Sequence, residues 1–309
     1  MPVGTQVEQA ARYLRMLLER PGEYRALWAS DPDACAGRGI DYTAVARVLA
    51  PHDGGTRRSD RTVPVDGMLT RTTRQALEGS CLSFEVLTRF VEAFAVRPSH
   101  ARRLTALLEG ASTVRAVSRG EDTPTARPHP AGPKAHETLS LYESHVVGPD
   151  GLPAEHQTIQ VIRSRVDGLT SLPYCFDTDE LVVDVLRGGR VGDQVYSVGD
   201  SLFAVDILLN RPLAEGHTTL LRYHSVFSYR SAPAPELRRG VRGRVSDLTM
   251  WVRFHPDRLP RRVWLSRWDS VEQARIIQRE VVELDEQFSA HHRFGAIERA
   301  VVGFSWQWD

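Results

Sequence analysis

The chain has 309 residues, of which 25% are charged and 41% hydrophobic, and its formal net charge is zero. This composition is that of a globular protein, and the length suits two domains better than one. Zero net charge excludes binding of polyanions through overall charge, and no apolar run reaches the roughly eighteen residues that a membrane-spanning helix needs.

The N-terminus and the cysteines indicate a cytoplasmic protein. The first eight residues have neither the basic stretch nor the apolar stretch of a signal peptide. Cys35, Cys81 and Cys175 are scattered and odd in number, so neither a disulfide framework nor a cysteine metal site is expected. Arginine supplies nearly all of the positive charge, since Lys134 is the only lysine. A GC-rich genome accounts for this bias, so composition alone does not indicate nucleic-acid binding.

Residues 1–110 are predicted to form a helical domain. Apolar residues recur at helical spacing near the N-terminus, which indicates an amphipathic first helix. Asp41 is placed to cap a short helix, and Ser83 is placed to cap a later one. Between them, Thr70 is predicted to cap a helix that ends at Gly79.

The remainder of the chain is predicted to be a linker and a β-rich domain. Residues 111–136 are dominated by Ala, Ser, Thr, Pro and Gly, a composition typical of a solvated linker. In residues 137–309 the apolar period changes to two, and turn signals separate about eight or nine strands. The predicted fold class is therefore α+β in two domains, an all-α helix-turn-helix domain followed by a mainly-β domain with a β-sandwich.

Residues 70–110, and in particular residues 70–79 and 87–95, resemble the Cro-like (XRE-type) helix-turn-helix regulators of actinobacteria. The segment Thr-Arg-Thr-Thr-Arg-Gln-Ala-Leu-Glu-Gly is similar to the recognition helix of that family, and a helix of the Leu/Phe-Val-x-Ala type follows it. The resemblance covers about forty residues. The chain departs from the family where about twenty residues separate Leu49 from Thr70, because the family has a short turn there.

The resemblance implies that this helix presents its N-terminal side chains to the major groove of DNA. Arg can bond to guanine and Gln to adenine, and nine arginines against five acidic residues between positions 57 and 103 suit phosphate contacts. The predicted DNA-binding residues are Thr70, Arg71, Thr72, Thr73, Arg74 and Gln75, together with the loop residues Arg57, Arg58 and Arg61.

A second concentration of arginines lies in the β-rich domain. Four arginines fall within seven residues of a predicted Gly-containing loop: Arg238, Arg239, Arg242 and Arg244. Such a loop can bind a phosphate, a carboxylate ligand or DNA. An exposed loop without a ligand is the equal alternative.

No known catalytic motif occurs in the β-rich domain, which has no nucleophile elbow, zinc-protease helix, Walker loop or dinucleotide fingerprint. The sequence therefore predicts no catalytic residue, metal ligand or cofactor. A carboxylate or metal site would have to use Asp177, Asp179 and a distant histidine, and a polar loop is the simpler interpretation of these acids. The histidines of this domain are His145, His156, His217, His224, His255, His291 and His292.

These patterns together predict a non-enzymatic transcriptional regulator that binds specific double-stranded DNA. It is expected to act as a homodimer, since a single recognition helix contacts few base pairs. Its β-rich domain would sense a small-molecule effector, dock a protein partner or mediate dimerisation. Two alternatives stay open: an interaction adaptor whose helical domain does not bind DNA, and an enzyme with its site in the β-rich domain.

Overall fold

The computed structural model of the protein describes residues 5–30, 39–52, 67–118, 135–178, 180–198, 202–229, 232–270 and 275–309. Internal contacts divide the chain into two compact units, Met1–Val117 and Ser118–Asp309. Among the helices described, none combines the length and the apolar character needed to cross a lipid bilayer.

Short helices form most of the described part of the first unit. The elements are α1 (Gln6–Glu19), α2 (Glu23–Ala26), α3 (Tyr42–Leu49), α4 (Gly67–Leu77), α5 (Phe84–Ala93), α6 (Pro98–Glu109) and β1 (Val114–Ser118). Thr5 begins α1 with a capping box, because its hydroxyl accepts from the Glu8 N–H while the Glu8 carboxylate accepts from the Thr5 N–H. Asp41 caps α3 and Ser83 caps α5, which confirms both predicted caps.

The core of the helical unit contains one polar pair. Tyr13 on α1 is fully buried beside Leu14 and Leu18, and its hydroxyl lies 2.7 Å from Nδ1 of the buried His100 on α6. The pair satisfies two polar groups that would otherwise be costly to bury.

The second unit is built from strands. They are β2 (His136–Val147), β3 (Pro153–Ser164), β4 (Leu169–Phe176), β5 (Glu180–Arg187), β6 (Gly189–Ser197), β7 (Phe203–Leu213), β8 (Thr218–Ser228), β9 (Glu236–Arg253), β10 (Arg262–Trp268), β11 (Ile276–Val282) and β12 (Ser289–Gln307). In the large sheet the order of neighbouring strands is β5–β8–β3–β2–β9–β12–β10–β11, and a small sheet has the order β4–β7–β6.

Strands β2 and β3 lie in the interior of the large sheet, with neighbours on both sides. They pair with each other antiparallel, while β2 pairs with β9 parallel. Strands β9 and β12 are long, and three register shifts interrupt their pairing, which bends the sheet. An apolar cluster that includes Leu248, Val252, Phe254, Phe304 and Trp306 packs on these two strands.

The predicted fold class, an all-α helix-turn-helix domain followed by a β-sandwich, is wrong. The described chain is mainly β, with twelve strands and six α-helices. The first unit is not all-α, because β1 begins in it, with Val114 and Val117 buried. The second unit contains one large mixed sheet and one sheet of only three strands. The alternation of apolar and polar residues shows which face of a strand is buried but not which strands pair. This topology could therefore not be predicted from the alternating pattern.

The predicted linker also differs from the structure. Strand β1 occupies residues 114–118, within the range 111–136 that composition assigns to a linker. Residues 119–134 lie outside the described part of the chain. The buried residues Val114, Ala116 and Val117 therefore outweigh the small polar residues around them in deciding the local structure.

Replacement of Gly303 by alanine is expected to destabilise the β-rich unit. Gly303 has φ of 156°, and a Cβ atom there would overlap the carbonyl oxygen of Leu237 on β9. Relief of this clash requires a shift of the β9–β12 pairing, so the free energy of unfolding should fall by about 2 kcal/mol. Chemical denaturation measures the change. The control is Gly67→Ala, where a Cβ meets no atom within 4 Å; an equal effect of both variants would contradict the prediction.

Candidate metal centre

Strand register brings three metal-binding side chains together in the large sheet. Glu143 and His145 are two residues apart on β2 and therefore share a face. On β3, His156 lies directly opposite His145, and Thr158 lies opposite Glu143. Glu143, His145 and His156 each offer one ligand atom, and these atoms lie within 4.8 Å of one another.

Glu143 is a buried carboxylate held by an arginine. Its side chain is 1% exposed, and Nε of Arg239 on β9 donates to its Oε2 at 2.8 Å. Nη2 of the same guanidinium contacts Oε1. Burial lowers the pKa of Arg239 to about 10, so the group stays charged at neutral pH. The carboxylate and the guanidinium thus form a pair with no net charge, the condition under which a buried ion is tolerated.

His156 lies at the centre of the polar contacts. Its Nε2 is 3.3 Å from Oε1 of Glu143 and 3.2 Å from Oγ1 of Thr158, and its Nδ1 is 3.3 Å from the hydroxyl of Tyr174 on β4. Burial, assisted by the charge of His224, lowers the pKa of His156 to about 3. The imidazole is therefore neutral at physiological pH and retains one nitrogen lone pair.

His145 completes the cluster with an unsatisfied nitrogen. Its ring stacks on that of His156, with centroids 4.0 Å apart and planes inclined by 9°. Burial and the neighbouring His156 lower its pKa well below the ordinary value, so it is also neutral. Its Nε2 is enclosed and has no hydrogen-bond partner among the described residues. A buried polar atom without a partner is rare in folded proteins and indicates that another group binds it.

Hydroxyl groups of the two sheets surround this cluster. Tyr174 meets Tyr223 of β8 edge to face, with ring centroids 5.1 Å apart, and Ser225 lies opposite His156 in the strand register. Burial raises the pKa of both tyrosines far above neutrality. Both side chains therefore remain phenols, which donate and accept hydrogen bonds without adding charge.

The donor set fits a divalent ion of the zinc class. Two neutral imidazoles and a carboxylate are ligands that zinc binds, each at about 2.1 Å, so ligand atoms around a tetrahedral ion lie about 3.4 Å apart. The 3.3 Å separation between Glu143 and His156 meets that requirement. The two parallel rings do not aim their in-plane lone pairs at one point, so joint coordination requires rotation of the His145 ring. No hydrogen bond at Nε2 of His145 opposes this rotation.

The predicted recognition helix exposes only some of the side chains that the resemblance implies. Helix α4 begins by Gly67, so Thr70 is not its cap. Thr73 is 2% exposed, and the Thr72 hydroxyl donates to the carbonyl of Met68. The guanidinium of Arg74 lies 5.0 Å from the ring centroid of Tyr42 on α3. Arg71 and Gln75 are exposed, while Arg57, Arg58 and Arg61 lie outside the described residues.

The interpretation of the protein from its sequence is therefore wrong. It described a non-enzymatic, homodimeric regulator that binds double-stranded DNA and senses an effector or docks a partner. Two of the six side chains proposed to contact bases are engaged within the helical unit, Thr73 by burial and Thr72 by its bond to Met68. The group of side chains that converges for chemistry lies instead in the β-rich unit. A search for contiguous motifs missed it, because three separate strands supply Glu143, His156 and Arg239.

The second arginine group has a different local structure from the predicted loop. Residues 238–244 are part of strand β9. Their side chains therefore point alternately to the two faces of the sheet: Arg239 reaches Glu143, and Arg238 pairs with Glu236 at 3.1 Å. Arg242 and Arg244 are exposed. Only Arg239 of the four contacts the candidate metal centre.

Asp177, one of the acidic residues singled out in the sequence, does not take part in the cluster. Asp177 accepts a hydrogen bond from Tyr229 at 3.1 Å, and Asp179 lies outside the described residues. Of the histidines noted in the sequence, His145 and His156 belong to the cluster. The missed residue is Glu143, whose signal was its position two residues before His145 in an alternating strand.

Comparison with known proteins gives no family assignment. No protein-family model matches the chain, and no curated protein matches it. A protein from Parabacteroides distasonis, provisionally described as a protease, has a TM-score of 0.36 and 9% identity, with 55% of this chain and 40% of that chain covered. An M1 zinc metallopeptidase from Deinococcus radiodurans has a TM-score of 0.30 and 13% identity, with 56% and 43% covered. The chain spans less than half of either protein.

Acid is expected to destabilise the β-rich unit through His156. The unfolded residue binds a proton below its ordinary pKa of 6.5, whereas the folded residue resists protonation down to about pH 3. Between the folded and the unfolded pKa of His156, the unfolded state therefore binds more protons than the folded state. The free energy of unfolding should fall as the pH drops through this range, by up to about 1.4 kcal/mol per pH unit.

Denaturation with urea between pH 4 and 7, in buffer containing a chelator, measures this dependence. The His156→Gln variant should show a flatter pH dependence than the unaltered protein, while the exposed-residue control His291→Gln should not. Parallel curves for all three proteins would contradict the assignment of a neutral, buried His156.

Proposed function

We propose that this protein is a metal-dependent enzyme whose active site is centred on Glu143, His145 and His156 in the β-rich unit. The metal is a divalent ion of the zinc class. The observation that carries the proposal is the enclosed Nε2 of His145, which has no hydrogen-bond partner among the described residues and whose ring lies beside ligand atoms of Glu143 and His156, all within 4.8 Å of one another.

The protonation states of the ligands favour metal binding at neutral pH. A metal competes with protons for histidine nitrogen, so a histidine with a lowered pKa loses no affinity to protonation. Both imidazoles have such a lowered pKa. Glu143 is ionised through its pairing with Arg239. The three side chains therefore offer lone pairs without a preceding proton release.

Hydrolysis is the reaction class that this ligand set suits. A divalent ion held by two histidines and one glutamate keeps a coordination position for water or substrate and acts as a Lewis acid. The hydroxyl of Tyr174, 3.3 Å from Nδ1 of His156, orients the imidazole ring. Arg239 holds both oxygens of Glu143, with Nε on Oε2 and Nη2 on Oε1, and Oε1 also faces His156 at 3.3 Å.

The exposed parts of the cluster define where a substrate enters. Glu143 and His156 are enclosed, but His145 is half-buried and the side chain of Arg239 is 32% exposed. Substrate therefore approaches from the side of His145 and Arg239. The guanidinium at this side favours substrates that carry a carboxylate or phosphate near the bond to be cleaved.

A cytoplasmic location is part of the proposal. Cys81 and Cys175 are thiols and not halves of disulfides, which agrees with a reducing compartment. Fractionation of cells that produce the protein tests this location.

Zinc titration of the purified full-length protein, in competition with a chromogenic chelator, tests the metal site. One equivalent should bind, and Glu143→Gln should weaken binding at least about a hundredfold because it removes an anionic ligand. The matched control is Glu155→Gln: Glu155 lies on β3 and pairs with His224 at 3.0 Å, so it is another Glu–His pair of the same sheet outside the cluster. Failure of the unaltered protein to bind zinc would refute the site.

Hydrolytic turnover is the second measurement. A panel of chromogenic ester, phosphoester and amide substrates, assayed with and without added zinc, should reveal a zinc-dependent activity. Glu143→Gln should reduce that activity at least about a hundredfold, while Glu155→Gln should retain it. Turnover that is equal in zinc-loaded and chelator-treated protein would argue against a metal-dependent enzyme.

A further inference from the structure

Arg239 and a metal ion would use the same oxygen of Glu143. Oε1 is the oxygen that faces His156 at 3.3 Å, and it is also the oxygen that Nη2 of Arg239 contacts. Nε of Arg239 holds the second oxygen, Oε2, at 2.8 Å. In the structure the guanidinium therefore spans both oxygens of the carboxylate.

We propose that Arg239 is a displaceable cation that controls metal loading. Its guanidinium neutralises Glu143 while the site holds no metal, and it leaves Oε1 when a divalent ion binds there. This inference rests on the proposed function, because it assigns Arg239 the regulation of the same site.

The mobile partner of the pair is the arginine. Glu143 is 1% exposed and is fixed between paired strands, whereas the Arg239 side chain is 32% exposed. A long arginine side chain can turn its charged end to solvent while its stem stays packed. The guanidinium thus has a path out of the site that the carboxylate lacks.

Electrostatic repulsion favours movement of the Arg239 guanidinium out of the site when a metal ion binds. The pair of Glu143 and Arg239 has no net charge. A divalent ion added beside the guanidinium would leave two positive groups close together in a poorly solvated site, where like charges repel strongly. Binding is therefore favoured by departure of Arg239 and opposed by its retention.

The competing role for Arg239 predicts the opposite result. If the guanidinium only orients Glu143 through Oε2, it supports a ligand, and removal of such a support weakens metal binding by about 10–100-fold. If it competes for Oε1, removal strengthens binding. The sign of the change in affinity separates the two roles.

Zinc affinity of full-length Arg239→Met, measured by chelator competition, is the test. We expect binding at least about tenfold tighter than in the unaltered protein, because a competing positive charge is removed. The matched control is Arg238→Met, which removes an equal charge from the adjacent residue, whose side chain pairs with Glu236. It should change zinc affinity less than about twofold.

The outcomes separate this inference from the proposed function. Equal or weaker binding by Arg239→Met, with normal binding by the unaltered protein, overturns the role of Arg239 and leaves the metal site standing. Zinc binding by Arg239→Met alone supports the role of Arg239 and refutes a metal enzyme in the unaltered chain. Absence of binding in every protein overturns both.

A measurement on the unaltered protein tests the proposal even where Arg239→Met does not fold. In protein labelled with ¹⁵N-arginine, the Nε–H signal of Arg239 is identified by its absence from Arg239→Lys. Saturating zinc should shift this signal and speed its exchange with solvent, since the hydrogen bond to Glu143 is broken or weakened. A signal that stays unchanged at full zinc occupancy overturns the proposal.

Discussion

The structure of the β-rich unit depends on the compensation of one buried charge, the carboxylate of Glu143. An ion of this kind costs several kcal/mol to remove from water, and an opposite charge with good hydrogen bonds must offset that cost. Arg239 supplies the charge from β9, and His156 supplies a polar contact from β3. The consecutive strands β2 and β3 and the distant strand β9 therefore have to meet at one point, which constrains the register of the large sheet.

Burial around this ion pair determines the state of its neighbours. The environment that makes Glu143 costly to bury also lowers the pKa values of His145 and His156 and raises those of Tyr174 and Tyr223. These groups are therefore neutral at physiological pH. The result is a cluster of nitrogen lone pairs and hydroxyl groups around a single ion pair. Such a cluster can bind a metal ion, whereas a cluster with protonated histidines could not.

Local features of the fold were predictable from sequence, and long-range features were not. The caps at Asp41 and Ser83 follow from side chains within three residues of the helix start, and alternation identified strands. The pairing order of the strands has no such local signal. The resemblance around Thr70 shows why a short motif is weak: the same residues occur in α4, but the helix starts earlier and buries Thr73.

The candidate site could not be predicted from the sequence either, because no local signal shows which distant residues come together. Arg239 is 96 positions from Glu143 in the chain, and no spacing rule connects the two residues. The sequence placed Arg239 in a Gly-containing loop, with ligand binding and simple exposure as equal alternatives, and considered His145 and His156 only as members of a long list of histidines. Once the register sets His145 opposite His156, the Glu-x-His pattern of β2 becomes recognisable as half of a metal site.

The most direct test of this account is anomalous diffraction from crystals of the full-length protein grown with zinc. Data collected on both sides of the zinc absorption edge should give one strong peak within about 2.1 Å of Glu143 and of a nitrogen of each histidine, with Arg239 turned away from Oε1. A zinc-saturated crystal with no peak between these side chains, and with the guanidinium still spanning the carboxylate, would contradict it.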